Sequence, residues 1–138
     1  MPGGVLSPLF VLAPLGLLLL RIIVGVAFVF HGYPKIIGPG RQQTQGWLKS
    51  MGFPAVLGPL AGLLEFVGGI FLWIGFLTPI VGILLVTEMI GTTILSKTKL
   101  GKKYVLGYEL DLAYLGAALL SAMVGAGPIS LDAILGIT

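Results

Sequence analysis

The stretch Leu60–Phe76, L-A-G-L-L-E-F-V-G-G-I-F-L-W-I-G-F, decides the class of this protein. Every residue in it except Glu65 is apolar or glycine, and no other charge occurs between Lys49 and Glu88. About 20 such residues form a helix that crosses the ~30 Å hydrocarbon layer of a bilayer. A carboxylate at its centre costs on the order of 3 kcal/mol. Glu65 therefore needs a partner, a water-filled pocket or a proton.

The composition of the whole chain agrees with this reading. Of its 138 residues 57% are hydrophobic and 9% charged, with a mean hydropathy of +1.09. Soluble domains average roughly 25% charged residues, so this is an integral membrane protein. The absence of cysteine excludes disulfides, thiol redox chemistry, Fe–S ligation and thioether haem attachment. The net charge of +3 does not point to nucleic acid. The basic residues lie in two short loops between apolar runs, where they act as topology signals and contacts to anionic headgroups.

Four apolar segments read as helices at about 15–36, 56–76, 80–95 and 110–124. Residues 1–138 thus form a single all-α domain, an antiparallel up-down bundle of four transmembrane helices. The N-terminal M-P-G-G-V-L-S-P lacks a basic n-region, and the apolar run through Phe30 lacks an A-x-A site, so a retained first helix is expected. The polar stretch G-P-G-R-Q-Q-T-Q-G-W-L-K-S-M-G-F-P has an apolar side in Trp47, Leu48, Met51 and Phe53. A short interfacial helix and an ordinary loop fit it equally well. Thr78-Pro79 forces a tight antiparallel return, and the tail S-L-D-A-I-L-G-I-T is too short to span.

Lys35, Arg41 and Lys49 follow the first helix, and Lys97, Lys99, Lys102 and Lys103 follow the third. With four spans both groups fall on one face, so both loops are expected in the cytoplasm and both termini outside the cell membrane. At 1.5 Å per residue, Arg21 lies somewhat outward of the midplane and Glu65 and Glu88 near it. The expectation is one buried charge cluster, Arg21, Glu65 and Glu88, with a formal charge of −1 that one proton would neutralise. A second polar layer of His31, Lys35, Glu109 and Asp111 sits towards the cytoplasm, and Asp132 is the only acid on the outer side. An Arg–Glu pair could serve simply to fix helix register. The third charge is more than such a pin requires. A single histidine excludes bis-His haem ligation, and no E-x-x-H or H-x-x-x-H spacing gives a metal site. The aromatic belt accounts for Trp47, Trp73 and Tyr104.

Several pieces taken together resemble the DoxX family of small four-helix membrane proteins. They are R-I-I-V-G-V-A-F-V-F-H-G-Y-P-K, L-L-E-F-V-G-G-I-F-L-W-I-G-F-L-T-P, E-M-I-G, Y-E-L-D-L-A-Y-L and G-A-G-P-I-S-L-D, in that order. The resemblance implies a membrane subunit of a redox complex, related to those of a thiosulfate:quinone oxidoreductase, and not a stand-alone enzyme. It maps recurrent polar positions onto Arg21, His31, Lys35, Glu65, Glu109 and Asp132. On this reading a quinone headgroup binds near His31, Lys35 and Glu109 or near Arg21 and Glu65, and the carboxylates and histidine relay protons. Electrons come from a soluble partner at the cytoplasmic loops, within a homo-oligomer or hetero-complex. Two other classes fit the buried charges: a small proton-coupled transporter and a purely structural membrane scaffold.

Overall fold

The computed structural model describes residues 3–137. A 3-10 turn at Ser7–Leu12 leads into α1 (Ala13–Ile36). Then come α2 (Pro39–Ser50), α3 (Leu57–Ile74), α4 (Thr78–Thr98), α5 (Glu109–Val124) and the five-residue α6 (Leu131–Leu135). Four segments, Ser7–Ile36, Leu57–Ile74, Thr78–Thr98 and Tyr104–Val124, are long and apolar enough to cross a bilayer. They run up and down, as alternation of polar loops and apolar runs requires. The polar stretch after the first span is helical, as α2. The third span exceeds the expected 80–95 at both ends. Pro79 is accommodated in its first turn, where no amide donor is needed, and Lys97 lies in its last turn, where the helix dipole favours a cation.

Bundles in lipid gain little from burying apolar surface, so close backbone packing holds them together. Two seams do so here. α1 lies antiparallel to α3 with Gly25 against Gly69 and Gly32 against Gly62. A Cβ on Gly25 would stand 2.6 Å from the Gly69 carbonyl oxygen, and one on Gly62 would stand 2.8 Å from that of Gly32. The second seam joins α4 to α5, where a Cβ on Gly82 would meet the Ala122 amide nitrogen at 2.6 Å. Between the seams Phe28, Leu72, Leu85 and Met89 are buried. The periphery is the reverse of a soluble protein's: Ile23, Phe30, Ile83 and Met123 are exposed, forming the face that lipid covers.

The return from α3 to α4 takes only Gly75, Phe76 and Leu77. Gly75 ends α3 in the left-handed region (φ +73°), and the Phe76 amide closes back on the Phe71 carbonyl at 2.8 Å. Leu77 also has positive φ (+50°), a strained state for a branched side chain. Something must hold it there, and that role falls to Asp132.

Candidate functional site

The seam register decides which buried charges meet. With Gly32 opposite Gly62 and Gly25 opposite Gly69, the Arg21 backbone is level with Trp73 on α3, and its guanidinium reaches on to Gly75, ten residues beyond Glu65. Ten residues are about 15 Å of helix. The expected Arg21–Glu65–Glu88 cluster is therefore not formed. Lys35 takes the place assigned to Arg21, its Nζ donating to Glu65 Oε2 at 2.6 Å, the sole ion pair among the described residues. Lys35 starts near the end of α1, but helical side chains tilt towards the N-terminus. Its long aliphatic stem therefore carries the ammonium back into the bundle. Glu65 itself is 2% exposed.

Arg21 instead lies near Asp132 at the opposite end, without pairing directly with it. Its Nη2 donates to the Ile129 carbonyl, and its Nη1 packs against Gly75. Asp132, fully buried, accepts from the amides of Leu77 at 2.7 Å and Thr78 at 2.9 Å, while its own amide donates to the Gly75 carbonyl at 2.9 Å. The tail thus caps the N-terminus of α4 and fixes the strained turn. At this end the tail ties α1, α3 and α4 together. Asp132→Ala orphans two buried amides and is expected to cost about 1–2 kcal/mol, the range for losing a helix cap. Thermal unfolding in detergent micelles would show it as a lowered midpoint, and an unchanged midpoint would contradict this role.

The other end contains a partly open cavity of about 700 Å³, bounded by α1, α2, α3, α4, the connection after α4 and the start of α5. Its walls are largely apolar, with Leu57, Leu64 and Leu95 among them, and Trp47 and Leu48 of α2 stand at its edge. That size and mixture are typical of small-molecule sites. His31, Lys35, Glu88 and Asp111 line it. His31 Nε2 lies 3.0 Å from the Tyr114 hydroxyl, and the rings meet edge to face at 5.3 Å. Asp111 accepts from Ser96 Oγ at 2.9 Å.

Glu109 does not join that layer. Residues 109 and 111 are about 200° apart around a helix, so only one of them can face the cavity. Glu109 turns to the connection before α5, where it accepts from the Leu106 amide at 2.7 Å and holds another positive φ (+58°). Glu88 also departs from its expected company. It is within electrostatic reach of Glu65 and Lys35, yet neither carboxyl oxygen has a hydrogen-bond partner within the protein.

Tyr114 carries no charge and stands in a run that reads as ordinary span, so nothing in sequence marked it as the partner of His31. Gly25 and Gly32 lie seven apart, matching Gly62 and Gly69. That shared spacing is the signal from which the register, and hence the Lys35–Glu65 pair, could have been found.

A family model described as DoxX matches residues 16–98. The chain is 31% identical over 118 residues to a Bacillus subtilis protein named "Putative oxidoreductase CatD", covering 86% of this chain and 85% of that one. It is 32% identical to the inner membrane protein YqjF of Escherichia coli, over 90% of this chain and 95% of the relative. It is 30% identical to the uncharacterized membrane protein Rv3486 of Mycobacterium tuberculosis, over 62% of this chain and 53% of the relative. No solved structure matches it. With its four apolar spans and buried charges, the chain is an integral membrane protein of the DoxX family.

Proposed function

We propose that the cavity is a quinone-binding site and that the protein serves as the membrane subunit of a redox complex. The observation carrying this reading is the cavity itself. It is apolar along its walls, is only partly enclosed, has Lys102 of the second basic loop in its lining, and brings His31, Lys35 and Glu88 around one space. The name of the Bacillus relative supports a redox setting. A bound quinone supplies two-electron chemistry accompanied by protons. His31 and Lys35 are the residues suited to donate hydrogen bonds to its oxygens, and the acidic groups behind them to hold protons. Trp47 and Leu48 would cover the ring from α2.

The basic end faces the cytoplasm on this proposal, as Arg41, Lys49 and the lysines of the second loop favour. A soluble redox partner would dock there. The test is extraction of lipophilic compounds from purified protein, with thermal stabilisation by an added short-chain quinone as a second measurement. Recovered quinone and a raised midpoint are expected. Neither result, combined with proton flux in proteoliposomes that Glu65→Gln abolishes, would favour a proton-coupled transporter instead.

A further inference from the structure

The hydroxyl groups around the cavity are spent on the protein itself. Thr44 donates to the Gly40 carbonyl at 2.8 Å, Thr87 to that of Ile83 at 3.0 Å and Thr92 to that of Glu88 at 3.0 Å. Ser96 is taken by Asp111, and the Lys35 ammonium gives one of its three hydrogens to Glu65. His31 bonds Tyr114 through one ring nitrogen. Among the described residues lining the cavity, Glu88 alone keeps buried side-chain oxygens with no protein partner; both are nearly closed off from the cavity, so a ligand there meets them only as the side chain turns inward. Buried polar groups in folded proteins are overwhelmingly paired, and an exception calls for a ligand or solvent.

We infer that Glu88 is the anchoring residue of the cavity and that it selects a ligand whose buried head donates an O–H or N–H. An ionised carboxylate only accepts hydrogen bonds. A neutral carboxyl accepts as well, and has a single proton to give. A donor head is therefore satisfied in either state, whereas a head that only accepts is satisfied in one. If the ligand is a quinone, as proposed above, this favours its reduced, diphenolic form, which carries two O–H donors where the oxidised form carries none. The remaining body must be apolar to match the leucine-rich walls. The inference depends on the quinone reading only for that identification, since a donor-headed amphiphile of another type meets the same geometry.

The experiment measures binding to the intact protein in micelles through the fluorescence of Trp47 at the cavity edge, with Trp73→Phe as the common background. The probes are a decyl-substituted quinol, its quinone, its dimethyl ether, which has lost both donors, and 4-octylphenol. The quinol should bind about tenfold or more tightly than the dimethyl ether, and Glu88→Leu should erase that ratio while leaving quinone binding in place. Equal binding of quinol and ether by both proteins would overturn the inference and leave the quinone reading standing. Binding of 4-octylphenol that requires Glu88, without binding of either quinone form, would support the inference and remove the quinone reading. Binding of none of the four would remove both.

Discussion

Lys35→Met is expected to destabilise the protein by about 3–5 kcal/mol, the cost of stranding a buried charge by removing its partner. Glu65 lies in the tightest seam of the bundle, and the ammonium 2.6 Å from its carboxylate is its only ion-pair partner. Removing the charge from both residues together behaves differently. Lys35→Met combined with Glu65→Leu leaves no ion to desolvate, and apolar replacements of buried pairs are often neutral or stabilising. The double variant is therefore expected to recover most of the loss, giving a coupling energy of several kcal/mol in a double-mutant cycle. Unfolding of the wild type, both singles and the double in detergent would supply the four values. Arg21 provides the control. Its guanidinium, at Gly75, lies about 15 Å along the helices from Glu65, so Arg21→Met should combine additively with Glu65→Leu. Strong coupling there, or a cost below about 1 kcal/mol for Lys35→Met, would contradict the register described above.

That contrast also shows how far the sequence could be read. The class, the four spans and the depth of each buried charge follow from hydropathy and from a fixed rise per residue, which are properties of single segments. Choosing between Arg21 and Lys35 as the partner of Glu65 is different, because it depends on how two helices slide against each other. Arg21 reads as outward of the midplane, which already separates it from Glu65. A single layer of the three charges leaves out the reach of a lysine stem, which spans several ångströms of depth. Asp132 stood alone on the outer side, and Arg21 was the nearest cation to it. Glu109 and Asp111 share a depth, but helical rotation sets them on different faces. The Tyr114–His31 contact had no such clue, since a tyrosine within a span reads as packing until its neighbour is known.

Gly32→Ala should be the most damaging single-methyl change in the α1–α3 seam. A Cβ at this position would stand 2.5 Å from the Gly62 carbonyl oxygen, 2.6 Å from the Phe66 amide nitrogen and 3.0 Å from Glu65 Cβ. The first two are backbone atoms of α3, so no side-chain rotation relieves the clash. The helices themselves must part. Overpacking a core commonly costs about 1–3 kcal/mol, and a seam of backbone contacts belongs at or above the top of that range. Gly116→Ala makes the matching control, since nothing lies within 4 Å of a Cβ there. Removing a glycine from a helix interior in open space should be neutral or stabilise by up to about 1 kcal/mol. Opening the seam at Gly32 has a further effect on the site, because Glu65 lies directly across from it and Lys35 is less than one turn away. The Lys35–Glu65 coupling energy measured in the Gly32→Ala background should fall well below its wild-type value. If it persists undiminished, the ion pair positions the helices by itself, and the glycines merely permit what the charges enforce. If it collapses, the order of cause is the reverse: the glycine seam sets the register, and the register determines which cation meets the buried acid.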